Sequence, residues 1–404
     1  MSSFIEIILI VLLMHEASEC LKKINSRRRE WVRPLYLSRD IDGLFVTSFD
    51  EMYKNDPEQF KTTVRMTKEV FDLLFGLVKE RLIKYSYRPS ISAEMRLFLT
   101  LNFLAHGGTQ HLYATAYKMG RFTVNKIILE TCKALWSELG SVYLSVPKRH
   151  EWKRISHDFN TIWNFGNCVG AIDGKHITLK CPSNSGSLFY SYKGTYSIVL
   201  LACCDANYTF TFIDIGAYGS QSDGGVLCNS GFGQRLFHDQ LDLPEDDFLP
   251  DSNIKFPHYF VGDAAFPLKK NLMRPYPGLH LPPDRENFNK RLSRARRVIE
   301  NAFGIMTARW RILLSSLQMQ PSSAESIVKA TVLLHNFLKL NDGSYCPPEY
   351  VDRYEGDNVL NGLWRQEIST PLRGTGRLMS NNATRSAFML RDQLKSYVAA
   401  HPIN

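Results

Sequence analysis

No C-x-x-C pair occurs among the eight cysteines of this 404-residue chain, so zinc ribbons and dithiol redox centres are excluded at their usual ligand spacing. Several of these cysteines lie inside apolar runs, where a free thiol packs as a small hydrophobe in a reducing compartment. Long hydrophobic runs are missing as well. FIEIILIVLLM (4–14) is too short to span a bilayer, Glu6 interrupts it, and no basic residues open it as they open a secretory signal. It predicts a packed helix. Neither an internal repeat nor a low-complexity block is present. G-x-S-x-G, H-E-x-x-H and H-x-E…P-C-x-x-C are absent, and with them the hydrolase elbow, the zincin and the zinc deaminase. GAIDGKH (170–176) is one residue short of a P-loop between its glycines, and it has His176 where Ser or Thr must meet Mg²⁺.

Negative charge is the scarcer sign. Forty Asp and Glu stand against 49 Lys and Arg, for a net charge of +9, and a polyanionic partner fits that balance. The excess is concentrated. Residues 285–311 carry Arg285, Lys290, Arg291, Arg294, Arg296, Arg297, Arg309 and Arg311 against only Glu286 and Glu300. KKINSRRR (22–29) reads equally as a nuclear-localisation patch or as a solvated basic turn. The sequons at Asn207 and Asn382 carry little weight in a chain of intracellular character.

Periodicity divides the chain. Apolar residues at helical spacing predict helices over 63–84, 93–106 and about 124–139, the second stopped by Gly107-Gly108 and the third capped by Thr123. The order helix, glycine turn, helix suits a helix-turn-helix or a plain bundle. From 168 the period changes. CVGAIDG, YSIVLLACCD and YTFTFIDIG read as strands, with DANY as a hairpin turn between the last two. A helix follows from Asp223, then a buried strand HYFVGD (258–263), a long helix over 286–314 and an amphipathic one over 324–340. This pattern predicts an α/β domain with a mixed sheet at 165–340, behind an N-terminal helix and basic arm (1–59) and a helical region (60–145). Residues 341–375 lack a period and read as a linker or extended arm, and 383–399 as a last helix, so that 341–404 forms a linker and C-terminal helix.

Three acids hold the chemical interest. Asp173 and Asp263 each follow an apolar strand, the place where ligand sites of open α/β sheets collect. Glu300 lies on the basic helix, with residues 264–299 leaving room for a loop and two helical turns before it. If the strands are neighbours the carboxylates converge, and an all-oxygen set suits Mg²⁺ or Mn²⁺ rather than zinc. Two such ions would serve an in-line displacement at phosphorus. Lys290, Arg291, Arg294 and Arg297 beside them are candidate contacts for DNA phosphates. Each acid also has a plainer reading. Asp173 suits a turn, and Glu300 can form an ordinary surface pair with Arg296 or Arg297. His176 suits a structural or substrate-positioning role better than a ligand's.

RRREWVRPLYLSR (27–39), VGAIDGKHITLKCP (169–182), YKGTYSIVLLACCDANYTF (192–210), GAYGSQSDGGVL (216–227), VGDAAFPLKKNLMRPYPG (261–278), FNKRLSRARRVIENAFGIMTARWRIL (288–313) and LLHNFL (333–338) together resemble the PIF/Harbinger transposase superfamily and its domesticated relatives, the Harbinger-derived nucleases and plant ALP1-like proteins. The resemblance implies an RNase H-like DDE core, a mixed sheet flanked by helices, behind an all-α helix-turn-helix-like N-terminal domain. Its metal-binding, catalytic triad falls on Asp173, Asp263 and Glu300, with two Mg²⁺ or Mn²⁺ ions. Asp223 also matches a recurrent family acid. Asp263 is preferred as the second ligand because it ends a strand, whereas Asp223 begins a helix and suits an N-cap. The implied activity is metal-dependent cleavage of DNA in the nucleus, with a separate Myb-like protein reading the DNA and no membrane partner. The alternative is a catalytically silent DNA- or chromatin-associated adaptor for a Myb-like partner. AHGGTQHLYATAYKMGRFTV (105–124) departs from the family's wording around its helix-turn-helix, and FGN (165–167) lacks an expected proline.

Overall fold

The computed structural model describes residues 10–20, 32–85, 90–355, 358–368 and 383–402. The basic stretch 22–29 and the Asn382 sequon lie outside the described residues. Residues 10–20 are helical with Ile10 to Met14 all exposed, so the described end of the 4–14 run is a helix but is not packed, and residues 4–9 lie outside the described residues. No helix among the described residues is long and apolar enough to cross a membrane.

From Leu44 to Trp163 the chain forms seven helices: α1 (Leu44–Asn55), α2 (Pro57–Val64), α3 (Lys68–Leu82), α4 (Ala93–His106), α5 (Gln110–Ala116), α6 (Arg121–Tyr143) and α7 (Arg149–Trp163). Their starts follow local chemistry. The Asp56 carboxylate accepts from Gln59 N at 2.9 Å and Ser92 Oγ from Met95 N at 3.2 Å, each satisfying a backbone donor that the first turn leaves unpaired. Gly120, not Thr123, is the residue before α6, because the helix starts earlier than its apolar stripe does. Phe49, Phe60, Phe71 and Phe98 pack ring on ring at the centre of this region, with Phe49 and Phe98 centroids 5.1 Å apart.

The sheet has five strands: β1 (Cys168–Thr178), β2 (Ser197–Cys204), β3 (Phe210–Tyr218), β4 (Tyr259–Val261) and β5 (Leu272–Met273), in the order β3-β2-β1-β4-β5. The first three are antiparallel, and β4 and β5 run parallel to β1. This mixed α/β core with an all-helical N-terminal part is what the sequence predicts. Every residue of β2 is buried, which is why SIVLLACC shows no alternation: both of its faces are covered. Asp205 shapes the β2–β3 turn by accepting from Asn207 N and Thr209 N. The helix expected from Asp223 is two short ones, α8 (Asp223–Asn229) and α9 (Gly231–Phe237), separated by Ser230, whose hydroxyl caps the second through Gly233 N.

Helix α10 (Pro283–Arg309) crosses β1 and carries Glu300 deep along its length, so more than the expected two turns precede that residue. Helix α11 (Pro321–Asn341) packs between α6 and β3. Asn336 joins these parts: its amide donates to Tyr143 O and Phe210 O and accepts from Phe210 N. One continuous apolar core therefore runs from the helical region into the sheet.

The described residues of 342–368 are no free linker. They include the paired strands β6 (Arg353–Glu355) and β7 (Asn358–Leu360), and they dock on α10 through Tyr345, Tyr350 and Trp364, all buried. Trp364 lies over Gly304, where a Cβ would overlap its ring, and donates from Nε1 to Asn301 Oδ1 at 2.9 Å. Helix α12 (Arg385–Ala400) closes the fold against α10.

Candidate active site

Ala171 of β1 pairs with Val261 of β4 across parallel strands, and Asp173 and Asp263 each stand two residues further along. Equal offsets from one rung bring both acids to the same level of the sheet. Strand β4 ends at Val261 while β1 runs on to Thr178, leaving the β1 edge open where the acids stand. Asp173 is thus inside a long strand, not at its end as CVGAIDG suggests; only its ladder with β4 ends there. Asp263 accepts from Ala265 N at 2.8 Å, and Asp173 from Gly174 N at 2.9 Å.

Glu300 reaches this edge from α10, and Arg296 one turn earlier joins it to the strand. Arg296 Nη2 lies 2.6 Å from Glu300 Oε1 and Nη1 lies 3.9 Å from Asp173 Oδ2. Arg296 is therefore the cation of a carboxylate cluster, not half of a solvated surface pair. Burial pushes the Asp173 carboxyl up to about 8 against the pull of Arg296, and the fields of Asp263, Asp223 and Glu300 add to the rise. Burial works against the Arg296 charge, yet Asp173 and Glu300 more than restore it, and its pKa lies above the ordinary value.

Asp223 joins the same cluster. The cap of α8 is the Ser222 hydroxyl, which accepts from Gly225 N at 3.3 Å, so the capping role expected of Asp223 belongs to its neighbour. The Asp223 carboxylate lies instead against the Cα of Gly174, close enough that any Cβ there would overlap it. Its Oδ1 is buried without a hydrogen-bond partner. Burial, then the Asp263 field, raises it to about 6.

Basic groups follow Asp173 on β1 and precede Glu300 on α10. Lys175 is buried with its ammonium 6.0 Å from the Phe303 ring, and burial followed by repulsion from Lys193 lowers it to about 7. His176 Nδ1 lies 2.9 Å from Ser197 Oγ and its ring meets Tyr192 edge-on; burial lowers it to about 4. The four candidate phosphate contacts diverge. Lys290 is exposed and pairs with Glu286 at 3.2 Å. Arg294 and Arg297 lie over the Tyr354 ring, 4.3 and 5.1 Å from its centroid. Arg291 is a correction: it is buried and donates to His401 O and Asn164 O, pinning the ends of α12 and α7 instead of facing solvent.

The donor chemistry fits a hard divalent cation: four carboxylates, one with an unpartnered buried oxygen, no sulfur and no imidazole among them. As they stand, no three His, Cys, Asp or Glu side chains among the described residues are grouped closely enough to hold an ion, and the Arg296 guanidinium lies between Asp173 and Glu300. In the sequence Asp223 is legible as a family acid, but its position at a helix start argues for a cap. Arg296 and Lys175 have no signal there beyond their spacing from Glu300 and Asp173, and Tyr354 has none at all.

Residues 172–336, the span from Ile172 to Asn336 that contains all four acids, match the family described as DDE superfamily endonuclease. The chain is 28% identical over 301 residues to Protein ALP1-like of Arabidopsis thaliana, covering 70% of this chain and 71% of that protein. It is 27% identical over 317 residues to Antagonist of Like Heterochromatin Protein 1 of the same plant, covering 73% and 78%. Against HARBI1 of Rattus norvegicus it is 24% identical over 253 residues, covering 61% and 67%. No solved structure matches.

Proposed function

We propose that this chain, which belongs to the DDE endonuclease superfamily in its Harbinger-derived branch, cleaves DNA phosphodiester bonds, with Asp173, Asp263 and Glu300 as ligands for Mg²⁺ or Mn²⁺. The observation that carries the reading is the equal offset of Asp173 and Asp263 from the Ala171–Val261 rung, with Glu300 tied to the first of them through Arg296. When bound, the two ions would activate a water and stabilise the leaving 3′ oxygen. The chain's own residues do the rest. Backbone donors at Gly174 and Ala265 hold the two Asp carboxylates in orientation. Asp223 offers its buried Oδ1 as a further acceptor beside them. Lys290, Arg294 and Arg297 are the groups on α10 suited to DNA phosphates, and a nuclear location with a separate Myb-like partner completes the proposal.

The test is nicking of supercoiled plasmid in Mg²⁺ or Mn²⁺. Wild type cuts, whereas Asp263→Ala and Glu300→Ala do not, with both variants folded by circular dichroism. Undiminished cutting by either variant removes these ligands from the reading.

A second reading is a catalytically silent adaptor that recruits a Myb-like or chromatin partner. Arg296 favours it, since a guanidinium already stands between two of the three ligands. The name of the second Arabidopsis relative also points to chromatin. The adaptor would keep its partner with Asp173, Asp263 and Glu300 all changed to Ala, and the wild type would cut nothing at any metal concentration.

A further inference from the structure

On α10, Glu286, Lys290, Ser293, Arg294 and Arg297 recur at helical spacing along one side of a groove of about 800 Å³. The other wall is the hairpin β6–β7, where Tyr354 and Val359 are cross-strand partners that both line the groove. This hairpin lies beyond residue 336, where the family match stops. The segment around it is tied together, and Trp364 anchors it on α10. Asp352 holds Arg365 through a two-pronged ion pair and accepts from Gly362 N, Tyr350 OH donates to Glu367, and Trp364 covers Gly304.

Among the described residues, neither Arg294 nor Arg297 of the groove has an acid paired with it, while Glu286 is paired with Lys290. Arg294 Nε is also buried without a hydrogen-bond partner. What faces both guanidiniums is the Tyr354 ring, at 4.3 and 5.1 Å, and a π face orients a cation without neutralising it. The groove also has a direction. Arg297 is one helical turn before Glu300, and Tyr354 lies within the electrostatic reach of Glu300. From Lys290 to Glu300 the helix rises about 15 Å, the axial rise of roughly four base steps of a duplex.

We propose that this groove holds the backbone of one DNA strand on its way to the carboxylates, and that Tyr354 is a positioning residue that presets Arg294 and Arg297 for its phosphates. The proposal rests on the reading of DNA as substrate. It makes the C-terminal segment part of the binding site. A flexible arginine loses rotamer freedom when it grips a phosphate; one already laid on an aromatic face has less to lose.

Binding of a labelled DNA duplex by the full chain is followed by fluorescence anisotropy in EDTA, between about 50 and 200 mM salt, where the slope of log K against log[salt] reports how many phosphates the protein neutralises. Tyr354→Ala is expected to weaken binding several-fold and to flatten the slope by about 0.9 for each phosphate left without its arginine. Arg294→Gln combined with Arg297→Gln flattens it by about 1.8. Tyr354→Phe keeps the π face and binds as wild type. Val359→Glu, at an exposed position of the same wall, weakens binding without removing an anchor, and so serves if Tyr354→Ala does not fold. Wild-type affinity and slope in Tyr354→Ala and Val359→Glu overturn the groove, as does Tyr354→Phe failing as badly as Ala. So does capture of an oligoglutamate peptide by these residues in a chain that binds no DNA. If the salt slope responds as expected but no metal supports cutting, the groove stands and the endonuclease reading falls. If plasmid is cut and the slope ignores Tyr354, the reverse holds.

Discussion

Arg296 grips Glu300 across one turn of α10, Nη2 to Oε1 at 2.6 Å, with its second nitrogen 3.9 Å from Asp173. A guanidinium in this place does electrostatically what a divalent ion does: it lets carboxylates that repel one another share a low-dielectric site. The fold therefore carries its own cation for the cluster, and a metal entering between Asp173 and Glu300 has to displace it.

Arg296→Gln separates these roles. Without metal it leaves Glu300 without its cation, at an expected cost of about 2 kcal/mol, below the range for fully buried pairs because both partners of that contact retain some exposure. With Mn²⁺ the variant is expected to gain more in melting temperature than wild type gains, since nothing competes for the acids. Calorimetry with and without Mn²⁺ checks this. Equal gains in the two proteins would mean that Arg296 does not stand in the metal's way.

Gly174 is the second point of leverage. A Cβ there would overlap the Asp223 carboxylate, and overpacking of a closed site costs about 1–3 kcal/mol. Gly174→Ala is expected to lose that much and, by moving Asp223, to slow plasmid cutting about 100-fold. Gly76→Ala, inside α3 where a Cβ meets nothing within 4 Å, is the control and should leave cutting unchanged. Normal cutting by Gly174→Ala would place Asp223 outside the chemistry.

Most of this core is legible in the sequence because periods and strand ends survive in one dimension. The β2 run, the 3.6-residue stripes of α4 and α11, and Asp263 just past a buried strand all carry their meaning locally, whereas Asp173 only reads as a strand end and lies within β1. Choices between equivalent neighbours stay hidden. Ser222 and Asp223 can both cap a helix, and only the packing against Gly174 decides which is free. Arg291 and Arg294 read alike on a basic helix, yet one is turned onto carbonyls and the other onto Tyr354. Residues 342–368 read as a linker because isolated aromatic anchors hold them, and single anchors leave no period.

Trp364 is the strongest of those anchors, and its removal tests whether the segment is part of the fold. Trp364→Ala empties a buried site beside Gly304 and leaves Asn301 Oδ1 without its donor, at an expected cost of about 3–5 kcal/mol. Amide exchange should rise across 342–368 while β1 and β2 stay protected. Gly304→Ala, which drives a Cβ into the Trp364 ring, should give the same exchange pattern. Unchanged exchange in both would make the docking incidental.

His335 sets an acid limit on stability. Its Nδ1 lies 2.9 Å from Tyr345 OH and its Nε2 2.9 Å from Tyr208 O, a pairing that suits the neutral ring, and burial holds its pKa down to about 4. The unfolded chain therefore takes up a proton near pH 6.5 that the folded chain refuses until about pH 4. This contribution is complete above pH 6.5 and is lost as the pH falls through the interval down to about 4. At about 1.4 kcal/mol per pH unit, the loss amounts to roughly 3 kcal/mol. His335→Gln cannot titrate, so although it is less stable at neutral pH, its urea-unfolding free energy should fall less steeply across that window than the wild type's. Parallel slopes for the two proteins would show that the acid sensitivity lies elsewhere, with His176 the next group to test.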